Sequence, residues 1–91
     1  MELEQLRNFV AVAECGSFTK AAKRLYISHS TTSRAVSALE DEFGLRLLER
    51  DNHVLGLTAA GECLLSEAKA ILAAADALEE KLRSASEEEK V

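Results

Sequence analysis

Apolar residues recur at three- and four-residue steps through Leu3, Leu6, Phe9, Val10 and Ala13, which predicts a helix over Leu3 to Cys15 with one buried stripe. Gly16 is suited to close it in the left-handed conformation. Ser17 is a good N-cap for a short second helix ending near Leu25, whose inner face is Phe18, Ala21, Ala22 and Leu25. Tyr26 and Ile27 form a tight turn, and Ser28 caps a third helix that Gly44 stops after Phe43. In that helix Thr32, Val36, Leu39 and Phe43 make the inner stripe, so Ser30, Thr31, Ser33, Arg34 and Ser37 face outward.

Two short apolar runs, Leu45 to Arg50 and Val54 to Thr58, flank the polar Asp51-Asn52-His53 and predict a β-hairpin, although no Asn-Gly or Asp-Gly turn is present. Thr58 can cap a last helix in which Gly61, Leu64, Ala68, Ile71, Ala75, Leu78 and Leu82 alternate three- and four-residue steps. That is a coiled-coil seam. From Glu62 to Arg83 such a helix is about 33 Å long, too long to bury its stripe on so small a domain. It is expected to project and pair with a second copy through Leu64, Ala68, Ile71, Ala75, Leu78 and Leu82. The run from Ser84 to Val91 has no periodicity and reads as a hinge or disordered tail. The predicted organisation is therefore mainly α: three helices and a hairpin over residues 1–58, a dimerisation helix over 59–83 and a tail over 84–91.

Composition sharpens this picture. The 91 residues contain no proline and four glycines, so little interrupts long helices. No apolar stretch approaches the roughly 18 residues that span a bilayer, and the acidic first residues are unlike a secretory signal. A cytoplasmic chain is expected. Cys15 and Cys63 are far apart, without zinc spacing or disulfide density, and read as two small semi-buried residues. No cofactor and no metal are implied.

A formal charge of −5 speaks against a nucleic-acid partner when taken alone. The distribution reverses that inference. From Cys15 to Leu39 there are four basic side chains, Lys20, Lys23, Arg24 and Arg34, and no acidic ones, whereas the residues from Ala59 onward carry eight acids against four bases. The outer face of the third helix bears short hydroxyls and one arginine, where a merely solvated helix favours Glu and Lys. A short helix, a tight turn and a helix with a small polar outer face make a helix-turn-helix, in which the second helix lies in the DNA major groove. The hairpin supplies its wing. Because duplex DNA is read without stacking platforms, Phe18 and Tyr26 are assigned to the core.

The segments Leu6 to Ala13, Gly16 to Ala22, Leu25 to Ser28, Ser33-Arg34, Leu39-Glu40, Gly44 to Arg50, Leu57-Thr58 and Ala60-Gly61 together resemble the N-terminal domain of LysR-type transcriptional regulators, in order and without a gap. The resemblance implies a bacterial winged helix-turn-helix with a dimerising linker helix. It also implies a larger effector-binding domain in a longer parent protein, and association of dimers into tetramers there. Any small-molecule effector would act through that domain, of which this chain is expected to be the DNA-binding fragment. Carried over by residue, the resemblance assigns base contacts to His29, Ser30, Thr31 and Arg34, and phosphate contacts to Ser33, Ser17 and Thr19. Ser37 on the same face and Arg50 and His53 near the wing are further expected phosphate contacts.

Several positions depart from the family. Position 29 is usually glutamine, which pairs bidentately with adenine, so His29 implies a different base preference. Ser30 and Ala59 stand where proline is common, which removes preorganisation from two helix starts. His53 and Gly56 replace basic wing residues, so non-specific DNA binding is expected to be weaker than usual for the family, with a salt slope of about −0.9 per phosphate neutralised. The competing class is a winged-helix protein-interaction module that does not bind DNA, against which the small-polar face argues because protein interfaces favour aromatic anchors. An enzyme is disfavoured, because Ser28-His29-Ser30 point in different directions along a helix and no nearby carboxylate orients the histidine.

Overall fold

The computed structural model describes residues 1–51 and 54–89. Its elements are α1 (Leu3–Cys15), α2 (Phe18–Leu25), α3 (His29–Phe43), β1 (Leu48–Asp51), β2 (Val54–Leu57) and α4 (Ala59–Glu89). The boundaries follow local chemistry. Gly16 and Gly44 end α1 and α3 at φ 64° and 62°, a conformation that costs glycine little. Ser17 Oγ accepts the Lys20 N–H at 3.2 Å and Ser28 Oγ accepts the Thr31 N–H at 3.1 Å, each satisfying an orphan donor of its helix. Thr58 Oγ1 accepts the Gly61 N–H at 3.0 Å and donates to the Arg46 carbonyl at 2.6 Å, so one hydroxyl starts α4 and ties it to the segment before β1.

Leu6, Phe9 and Val12 of α1 meet Ala21 of α2, Val36 and Leu39 of α3, Leu47 and Leu48 at the hairpin base, and Ala68 and Leu72 of α4 in one buried cluster. Burying each of the larger side chains is worth roughly 1.5–3 kcal/mol. Asn8 is buried as well; its Nδ2 donates to the Glu4 carbonyl at 2.7 Å, while its Oδ1 has no partner among the described residues. β1 and β2 pair antiparallel from Leu48 with Leu57 to Asp51 with Val54. Gly61 lies against the backbone of Leu47, and a Cβ there would stand 3.0 Å from the Leu47 carbonyl carbon and 3.2 Å from Leu57 Cδ2. Glycine is required for that approach.

Five expectations need correction. Tyr26, assigned to the core, is 95% exposed, because it closes α2 in the left-handed conformation at φ 58° and its side chain turns outward. Phe43, assigned to the inner stripe, is 44% exposed in the last turn of α3. Cys63 is exposed on α4, while Cys15 is half-buried. Ala68, placed in the dimer seam, is enclosed in the domain's own core, and Leu64 packs against that core, because the first half of α4 lies on α1. The residues after Ser84 are helical through Glu89 rather than a disordered tail. Lack of periodicity removes a packing face without disfavouring helix, and Ala85 and Glu87 to Glu89 are good helix formers with no Gly or Pro among them.

Glu14 joins three helices. Its carboxylate lies 3.2 Å from Lys69 Nζ of α4 and 2.9 Å from Arg24 of α2. The Lys69 ammonium first, and the Arg24 guanidinium second, hold its carboxyl below the ordinary carboxylate range. A depressed carboxyl stabilises the fold above its unfolded pKa and loses that contribution as pH falls through the folded value. Acidification from about pH 6 to about pH 3 is therefore expected to lower the Tm of the wild type more than that of Glu14→Gln at low salt. The difference should be small, because the site is solvent-screened, and parallel melting curves would refute the role given to Glu14.

Candidate nucleic-acid interface

The outer face of α3 begins as a knot of hydroxyls. Ser28 Oγ lies 2.7 Å from Thr31 Oγ1 and 3.2 Å from Ser30 Oγ, and Ser28 also caps the helix. The preorganisation that proline would give at position 30 is thus supplied here by side chains. Ser30, Thr31, His29 and Arg34 are exposed, Ser33 and Ser37 are half-buried beside them, and Thr32 is fully buried with its hydroxyl donating to the Ser28 carbonyl. The predicted inner and outer faces of this helix are those observed, apart from Phe43.

Phe18 connects α3 to the hairpin. Its ring centroid is 5.9 Å from that of His29, and the Arg50 guanidinium carbon lies 5.1 Å from it. A cation over an aromatic ring at that distance is attracted to the ring face, so the half-buried Phe18 holds a wing arginine and the first residue of α3 on one support. Ser17 and Thr19 bracket Phe18 at the start of α2; the Ser17 hydroxyl is engaged as a cap and Thr19 is exposed. His53 lies outside the described residues.

Charge is sorted by face. Arg7 pairs with Asp76, Arg24 and Lys69 with Glu14, and Arg83 with Glu79 and Glu80. Lys20, Lys23, Arg34, Arg46 and Arg50 make no ion pair among the described residues. These five cations belong to α2, α3 and the segment from Arg46 into β1, while most of the paired ones lie on or against α4, where Lys81 is the remaining cation without an ion pair among the described residues. Arg46, not singled out by sequence, shares an open cleft with Ser37 and Arg50. Its only signal in the sequence was a cation just before two buried leucines. No group of three or more potential metal ligands occurs among the described residues, and no helix there is long and apolar enough to cross a membrane.

A family profile described as bacterial regulatory helix-turn-helix protein, lysR family, matches residues 3–62. The chain belongs to the LysR family. Among similar LysR-type proteins are the HTH-type transcriptional regulator TcbR of Pseudomonas sp. (strain P51), 47% identical over 79% of this chain, and the Hca operon transcriptional activator HcaR of Escherichia coli (strain K12), 49% identical over 84% of it. The chain spans only 24% and 26% of the length of these relatives. The crystal structure of the DNA-binding domain of CbnR in complex with DNA superposes with a TM-score of 0.88 at 43% identity, covering 94% of this chain and 99% of that one. The LysR winged helix-turn-helix expected from sequence is thus the observed architecture, with α2 and α3 as the helix pair and β1–β2 as the wing.

Proposed function

We propose that this chain binds duplex DNA sequence-specifically as a homodimer and forms the DNA-binding part of a cytoplasmic bacterial transcriptional regulator. The observation that carries the reading is the exposed hydroxyl face of α3 together with cations on α2, α3 and the segment into β1 that make no ion pair among the described residues, in a chain otherwise rich in acid. Similarity to CbnR, whose DNA-binding domain was crystallised with DNA, supports it. The third helices of two protomers enter successive major grooves, and His29, Ser30, Thr31 and Arg34 meet base edges there. Ser17, Thr19, Ser33, Ser37, Arg50 and His53 hold phosphates, which fixes register without reading sequence. Pairing uses the outward side of α4 at Ile71, Ala75, Leu78 and Leu82, of which Ile71, Leu78 and Leu82 are 37%, 57% and 61% exposed and Ala75 is half-buried. No catalytic role is assigned to any residue, and effector binding and tetramer formation would belong to a longer parent protein.

The test is fluorescence anisotropy on a pooled duplex library across a salt series. Salt-sensitive binding is expected. Arg34→Ala should weaken it by about 1–3 kcal/mol and relax the preference at one base position, whereas Ser33→Ala should weaken all sequences alike. A folded dimer that binds no duplex at low salt would favour the protein-interaction module instead.

A further inference from the structure

We propose that the cleft between α3 and β1 seats a backbone phosphate of the bound duplex, with Arg46 as its unassigned ligand. This rests on the DNA-binding reading above and adds a contact to it. With α3 in a major groove, a sugar-phosphate strand bordering that groove has to pass across the seam between α3 and the adjoining hairpin. The cleft is that seam. Ser37 of α3 lines one side, on the same face as Ser33 and Arg34, and Arg46 and Arg50 line the side leading into and along β1.

Two acids also line the cleft, and they are not equivalent. Glu40 Oε2 accepts the Leu47 N–H at 2.9 Å and so fixes the loop that carries Arg46. The Asp41 carboxylate has no hydrogen bond or ion pair among the described residues, and it lines the same opening as the two guanidinium groups. A phosphate placed here gains two cations and a hydroxyl donor against two carboxylates, of which Glu40 is turned onto the Leu47 N–H and only Asp41 is free of a partner, so the guanidinium groups must swing onto the strand for the contact to be net attractive. Arg46 therefore acts as an attractor and Asp41 as a brake on the same strand, and neither reads sequence.

The experiment compares Arg46→Gln, Arg46→Lys and Asp41→Asn with wild type, on a library-selected duplex and on a scrambled duplex, by anisotropy over a salt series. Loss of one neutralised phosphate lowers the salt slope by about 0.9, which at about 0.15 M salt corresponds to about fivefold weaker binding. Arg46→Gln is expected to show that loss equally on both duplexes, Arg46→Lys to retain the wild-type slope, and Asp41→Asn to bind both duplexes more tightly. The Arg46 side chain is exposed, so melting should be unaffected. Wild-type affinity and slope in Arg46→Gln would overturn the proposal while leaving DNA binding intact. A changed base preference in that variant would overturn it in favour of direct readout, and failure of the wild type to bind either duplex would overturn both readings.

Discussion

Gly61→Ala is expected to lower stability on the order of 3 kcal/mol, near the upper end for overpacking, with a Tm fall of about 12 °C or more. The added methyl would press on the Leu47 backbone and on Leu57 Cδ2, and neither can retreat freely. Leu47 is itself buried, and its carbonyl accepts the Thr58 N–H at 3.1 Å. Gly56→Ala is the control, because among the described residues a Cβ there meets only Glu49 Oε2 at 3.9 Å, an ordinary contact. It should stay within about 0.5 kcal/mol of wild type. Thermal unfolding followed by circular dichroism separates the two, and coincident melting of Gly61→Ala and wild type would show that the junction is soft.

The second large effect concerns pairing. Leu78→Glu combined with Leu82→Glu is expected to give a monomer whose domain core stays folded, since both leucines are more than half exposed and lie beyond the buried part of α4. Two copies joined by α4 present two recognition helices at once, which typically strengthens binding about 10²–10⁴-fold over a single module. The double variant should lose an effect of that size on a two-site duplex and much less on a half-site. Sedimentation and anisotropy read the two consequences. A dimer that survives both substitutions would move the interface elsewhere.

The helix boundaries and the architecture were legible because their determinants are local. Ser17, Ser28 and Thr58 act as caps at the positions where capping residues were expected, and Gly16 and Gly44 terminate helices as left-handed residues. Tyr26 was not legible in this way. A non-glycine residue at φ 58° carries no compositional mark, so an aromatic ring with no stacking role on duplex DNA was assigned inward. The first part of the α4 seam, at Leu64 and Ala68, was misassigned for a different reason. Repeats of 3.5 and 3.6 residues diverge by only about 20° per heptad, so one stripe of small and aliphatic residues fits both a partner helix and the domain's own core. Tertiary contact decides between them, giving Ala68 and Leu72 to the core and leaving Ile71, Leu78 and Leu82 outside.

The candidate interface divides similarly. The outward row of α3 could be read from helical spacing alone, because a polar face is a property of one element. Which cations are available could not be read, since Arg24 is neutralised by Glu14 from another helix while its neighbours Lys20 and Lys23 are not. The support that Phe18 gives to His29 and Arg50 likewise joins three elements.

The close seating of Gly61 makes α4 a lever. Its first turn is clamped to the base of the wing through Thr58 and Leu47, and its 31 residues extend about 46 Å from there. Because Ala68 and Leu72 are also packed on α1, and Asp76 pairs with Arg7, helix and domain turn together: a rotation of only about 5° of the whole body about the clamp moves the far end by about 4 Å over that length. Run in reverse, a displacement of a few ångströms imposed near Glu89 turns the three-helix core and the wing as one piece by a small angle.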